Sequence, residues 1–372
     1  MVLLLSAGLL LAASADFYSL SLDASSFEDL GFLKERLSGK QVVQLGEATH
    51  GGSEFYRLKY RLVRFLHEEL GYDLLVFEAG VIETDLSNLK RDALTAAEWL
   101  DSTLFANMRW TESKALFDYL KARPKLQVAG IDPQFSSDEV LTLSAEVVEP
   151  YDHSLAGEIR KRMGEGYAFQ GLTGQPEVFR AKRDEYLAWL RETVTKLEKV
   201  KVKAPDTEKF AVLLDGFKGL KRYWNYEPNA PMFERLALRD QMMAEAALKR
   251  IGNRKAIVWA HNGHIGKGLG YKILGDHLRE KLGAKTYALG LFGRSGSYYQ
   301  HWTRTRLPWQ TDPSGLESAF PSVRQAHFAD ARSFPAKLKA TEPENGGTIE
   351  FVPAERFDGL IVVNGISAPT KG

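Results

Sequence analysis

Several short apolar runs in this chain stop at residues that can move protons. "QVVQLGEATHGG" ends on Glu47 and His50, "YDLLVFEAG" on Glu78, "LQVAGIDPQ" on Asp132, and "AIVWAHNGH" on His261 and His264. A neutral imidazole near pH 7 can take a proton from water. A carboxylate on its other ring nitrogen fixes the tautomer and raises the basicity. Glu47 or Glu78 can supply that carboxylate to His50. A second imidazole, His261, with a cation such as Lys59, can stabilise the oxyanion formed when water adds to an ester carbonyl. The chemistry implied is hydrolysis by activated water, with no covalent intermediate. The same side chains also permit a mixed nitrogen and oxygen site for Zn, Mn or Fe, built from the two histidines of "HNGH" with His50, Glu47, Glu78 and Asp132.

Other mechanisms find less support. No G-x-S-x-G elbow lies between a strand and a helix, and "RSGSY" lacks that spacing. There is no P-loop, no G-x-G-x-x-G after the first strand and no H-E-x-x-H. His264, Asp132, Arg239 and Trp110 are the candidate substrate-binding residues. Asp132 before Pro133 is also an ordinary turn choice. His67, His153, His277, His301 and His327 have no motif around them and read as structural or surface residues.

The elements that must position these groups can be read from the apolar pattern. Near-continuous runs rich in Val, Ile and Leu are expected of strands buried on both faces. "TYALGLFG" and "DGLIVVNG" add two more such runs near the carboxyl end. Helical segments separate the early runs, so a mostly parallel sheet with helices on both faces is expected, its ligands bound outside the carboxyl ends of the strands. After the first motif, Phe55, Leu58, Leu62, Phe65, Leu66 and Leu70 recur at helical spacing, with Ser53 as the expected cap and Gly71 as the stop. Lys59 falls near the centre of that apolar stripe, whereas Arg57 and Arg64 point away from it. A lysine on a buried face needs a partner or a route to water. From about 138 to 250 the pattern is charged and helical, which reads as an insertion into the sheet domain, with "KVKAPDTEK" and "NYEPNAP" as loops.

The chain has 372 residues, 44% hydrophobic and 26% charged, an ordinary globular composition. A net charge of +1 gives no field to attract nucleic acid or an anionic membrane. With no cysteine, disulfides, thiolate metal sites and cysteine nucleophiles are excluded. "MVLLLSAGLLLAASA" pairs an apolar stretch too short to span a bilayer with an Ala-x-Ala ending. Residues 1–15 are therefore expected to be a signal peptide and 16–372 the working domain. The protein is expected to be secreted or periplasmic, with no stable membrane insertion once the leader is cleaved.

"LGEATHGGSEFYRLKYRLVRFL", "LLVFEAG", "VAGIDPQ", "RDQMMAEAAL", "IVWAHNGHIGKG" and "FDGLIVVNG", in this order and spacing, resemble the erythromycin esterase family. The resemblance implies a three-layer α/β/α fold with a mostly parallel sheet and a large helical insertion. It implies hydrolysis of a carboxylic ester or lactone, such as the macrolactone of erythromycin-type antibiotics, with no required metal or other cofactor. It places the general base on His50, its carboxylate partner on Glu47, a further acidic residue on Glu78 and the second histidine on His261. The family's helix arginine falls on Lys59, which keeps the charge and loses the bidentate fork. Other members of the family are linked to polysaccharide biosynthesis, and distant relatives of the fold hold metal or haem. A metal-dependent hydrolase, or a non-catalytic haem- or glycan-binding protein, is thus the alternative expectation.

Overall fold

A computed structural model describes residues 15–169, 176–202, 207–225, 230–268, 270–345 and 347–371. All but the last residue of the expected signal peptide, and parts of the two expected loops, lie outside the described residues. Among the described residues no helix is long and apolar enough to cross a membrane.

Twelve strands are described: β1 (Tyr18–Leu20), β2 (Val42–Leu45), β3 (Leu74–Gly80), β4 (Gln127–Asp132), β5 (Ala256–Trp259), β6 (Thr286–Gly293), β7 (Gly296–Gln300), β8 (Thr305–Trp309), β9 (Ala326–Asp330), β10 (Leu338–Glu342), β11 (Gly347–Phe351) and β12 (Gly359–Val363). Eight of them form one sheet in the order β1-β9-β12-β6-β2-β5-β3-β4, and β7 with β8 and β10 with β11 form two hairpins. β12, β6, β2 and β5 run parallel, while β9 and β1 add antiparallel pairings at one edge. The six apolar runs read from the sequence are β2, β3, β4, β5, β6 and β12. Their continuous apolarity follows from burial, since every residue of β2, β3, β5, β6 and β12 is buried.

The chain divides into two compact units. The first comprises Met1–Val76, Asn107–Gln127 and Ile251–Gly372. Its long helix, Ser53–Leu70, buries Phe55, Leu58, Leu62, Phe65 and Leu66, and Gly71 ends it in the left-handed region at φ 69°. The expected cap is displaced by one residue. Gly52 holds the cap position, and Ser53, already helical, donates its hydroxyl to Glu112 at 2.9 Å. That glutamate comes from a distant segment, which local sequence could not reveal.

The second unit comprises Phe77–Ala106 and Val128–Arg250. Between β4 and β5 the described elements are all helical: Glu139–Val148, His153–Phe169, Pro176–Lys201, Thr207–Trp224 and Met232–Ile251. Their apolar faces meet in a core that includes Trp189, Phe210, Phe217 and Trp224. The aromatics Trp224 and Trp99 are fully buried packing residues here.

Candidate active site

In the first unit, strand register does the assembly. β2 pairs with β5 so that Val42 lies opposite Ala256 and Leu45 opposite Trp259. Hydrogen bonding continues past both strand ends, Ala260 N–H to the Leu45 carbonyl at 3.2 Å and Asn262 N–H to the Glu47 carbonyl at 2.8 Å. Glu47 and His261, each two residues beyond its strand, are therefore brought side by side. Two glycines allow this closeness. A Cβ on Gly46 would collide with the Asn262 side chain, and one on Gly51 with the Tyr299 carbonyl.

The His50 ring lies across from that of His261, centroids 5.3 Å apart and edge to face. His50 Nδ1 is 3.0 Å from Glu47 Oε1, and both groups are buried. The other Glu47 oxygen takes the Lys59 ammonium. Lys59 is wholly buried; its nitrogen sits 4.2 Å above the Trp259 ring centroid and donates to the Ala260 carbonyl at 3.5 Å. A single carboxylate oxygen, a carbonyl and an aromatic face suit a compact ammonium. The inward position read from the helical stripe is thus correct, and the ammonium acts on Glu47.

The neighbours also set the protons on the two rings. A carboxylate can only accept, so neutral His50 carries its proton on Nδ1 and leaves Nε2 as an acceptor. At His261 the pattern is reversed, because the Gly263 N–H donates to Nδ1 at 3.0 Å. Neutral His261 therefore bears its proton on Nε2. One imidazole presents a base and the other a donor.

The backbone of His50 is pinned from outside the ring. Its carbonyl accepts from the Tyr56 hydroxyl at 3.0 Å and from the Trp110 indole N–H at 2.9 Å. Trp110 thus helps to hold the loop that carries His50. His264 is buried and closes the turn after His261, its N–H donating to the His261 carbonyl at 2.9 Å.

One carboxylate at this site escaped the sequence reading. Glu344, in the turn between β10 and β11, places Oε2 3.8 Å from His50 Nε2 and 3.6 Å from His261 Nε2. It also accepts from the Thr49 hydroxyl at 3.0 Å and from the His50 N–H at 3.3 Å. "EPENGG" looks like any polar turn, so only the long-range packing reveals it. His301 in the β7–β8 turn also belongs to these surroundings. Burial pushes its pKa down, with the charge of Glu344 opposing and that of His50 adding to the effect.

The second unit gathers Glu78, Asp132 and Arg239. Arg239 donates through Nε to Asp132 at 3.0 Å and through Nη2 to Glu78 at 3.0 Å, with a further close contact to Asp132. Burial opposes the guanidinium charge, but the two carboxylates outweigh it and hold Arg239 firmly protonated. Asp132 also accepts from the Gln134 N–H at 2.9 Å, the turn role open to an aspartate before proline. The same unit buries Glu83 completely; it accepts from Ser136 N–H at 2.6 Å and Ser137 N–H at 3.2 Å. Desolvation nevertheless pushes its carboxyl up to about 7. Among the described residues, no group of three or more His, Asp or Glu is arranged to hold a metal ion.

Comparison with known proteins agrees with this architecture. The family profile described as Erythromycin esterase matches residues 67–366. A putative hydrolase of Bacillus subtilis, YbfO, is 30% identical over 316 residues, covering 74% of this chain and 70% of its own. The type II erythromycin esterase of Escherichia coli is 23% identical over 308 residues, 73% of each chain. Among solved structures, a succinoglycan biosynthesis protein superposes with TM-score 0.74 at 20% identity, covering 97% of both chains. An erythromycin esterase mutant, EreC in its open conformation, gives TM-score 0.68 at 16% identity, covering 95% of this chain and 98% of its own. Glu47, His50 and Lys59 precede the matched segment, so their meeting with His261 is a finding of the geometry. From residue 67 onward, and in the sheet around which the site is built, the chain belongs to the erythromycin esterase family.

Proposed function

We propose that this hydrolase-family protein cleaves a carboxylic ester or lactone with water activated by His50. The observation that carries the reading is the pair of facing imidazoles, one with Nδ1 against a carboxylate and the other with Nδ1 against a backbone N–H, contacts that favour opposite tautomers. His50 Nε2 takes a proton from water as the oxygen attacks the ester carbon. Glu47 holds the ring by Nδ1–H and stabilises the imidazolium that forms. Lys59 keeps Glu47 ionised in a buried place where a lone carboxylate would be neutralised. The Nε2–H of His261 donates to the carbonyl oxygen as it gains charge. When the tetrahedral intermediate collapses, the imidazolium of His50 returns the proton to the leaving alcohol. Acid and alcohol leave, and both rings regain their starting state.

The substrate class is supported by kinship to erythromycin esterases, and a lactone of that kind is the first to try. The leader-like residues 1–15 favour an exported enzyme. A panel of esters and lactones, offered to purified protein with and without chelator, tests the reading. Turnover of at least one member is expected, insensitive to chelator and lost in His50→Ala and His261→Ala proteins that remain folded. Activity in His50→Ala within tenfold of wild type would refute it.

A further inference from the structure

We propose that Glu344 is a third arm on the attacking water, an inference that rests on the hydrolase reading above. Its Oε2 lies 3.8 Å from the base nitrogen of His50 and 3.6 Å from the donor nitrogen of His261. Both separations are too long for direct hydrogen bonds and suit an intervening water. A water oxygen can lie about 2.9 Å from Glu344 Oε2 and from His50 Nε2 at once. Such a water directs one O–H to His50 Nε2 and the other to Glu344 Oε2. Its lone pairs are then left for the carbonyl carbon and, until substrate arrives, for the N–H of His261, which then turns to the carbonyl oxygen.

Glu344 is held for this task by the loop it serves. Thr49 and the backbone N–H of His50 both donate to it. The carboxylate and the base therefore share one rigid mount, and the orientation of the water is set before substrate arrives. In the attack, the new C–O bond forms from the water lone pair and the carbonyl π pair moves to oxygen. The first proton goes to His50 Nε2, while the second stays on the former water oxygen, hydrogen-bonded to Glu344. Collapse breaks the bond to the leaving oxygen, which takes its proton from His50. Glu344 keeps its charge throughout.

The test is Glu344→Gln, nearly isosteric, beside Glu344→Asp, which keeps the charge and withdraws it by one methylene. In Glu344→Gln, kcat should fall at least tenfold with KM little altered. Glu344→Asp should retain more of kcat than Glu344→Gln while still falling below wild type. A kcat within twofold of wild type in Glu344→Gln would overturn the proposal. A wild-type protein that hydrolyses no ester refutes the hydrolase reading and this role with it. A normal wild-type rate beside an unchanged Glu344→Gln refutes Glu344 alone.

Discussion

The two units each bury a cation against carboxylates beside strand ends, yet they leave different atoms for chemistry. In the first, Lys59 takes one oxygen of Glu47, and the other oxygen holds His50. The pairing stops at an imidazole whose far nitrogen is a base. In the second, Arg239 closes on both Glu78 and Asp132, and no imidazole takes part in those bonds. A guanidinium held protonated between two carboxylates has no proton to exchange near neutral pH. Similar ingredients thus leave an imidazole nitrogen open in one unit and a closed ion-pair cluster in the other. The difference lies in what the cation's carboxylate touches next.

Substitutions should separate the two by what they damage. The largest effect expected is on rate. His50→Ala should lower kcat/KM by about a thousandfold or more, the loss of a general base together with its contribution to water placement. Its stability should fall by only about 1–2 kcal/mol in denaturant melts, because Glu47 stays paired with Lys59. Arg239→Met should reverse the emphasis. Removing the cation that the buried Asp132 and Glu78 share should cost about 3–5 kcal/mol of unfolding free energy. If both variants lost stability equally, the contrast would collapse.

A smaller effect distinguishes the clamp from Glu83, another buried carboxylate of the second unit, whose hydrogen bonds come from Ser136 and Ser137. Its native pKa of about 7 stands above the usual carboxylate value, chiefly through desolvation. Between pH 4.5 and that value the native state keeps a proton the unfolded chain has released. Stability from this group is therefore full below that window and declines as pH rises through it. Glu83→Gln should flatten that slope and gain on the order of 3 kcal/mol at pH 8 relative to its effect at pH 4. Equilibrium unfolding across that range reads it; parallel curves for wild type and variant would contradict the assignment.

Local pattern carried the buried strands and most of the first site. Apolar runs mark strands because parallel strands are covered on both faces, and a polar residue just past such a run marks a strand end. Parallel register then makes Glu47 and His261 neighbours with no further information. Lys59 was legible because a charge on an apolar helical stripe has to be paired. Trp110 and Glu344 were not legible in their places. The first acts through an indole hydrogen bond to the His50 carbonyl, and the second arrives on a hairpin turn nearly three hundred residues away. The antiparallel edge of β9 and β1 and the two hairpins were missed for a related reason. Their strands are three to five residues long and, in the hairpins, carry exposed polar residues, so none forms a continuous apolar run.

The central claim is that two facing histidines hold their protons on opposite nitrogens, and it can be read without any substrate. Long-range 15N–1H NMR correlations report the tautomer of each imidazole in the free protein at a pH where both rings are neutral. His50 should show a protonated Nδ1 and a bare Nε2, and His261 a bare Nδ1 and a protonated Nε2. The same tautomer on both rings, or the reverse assignment, would contradict the account.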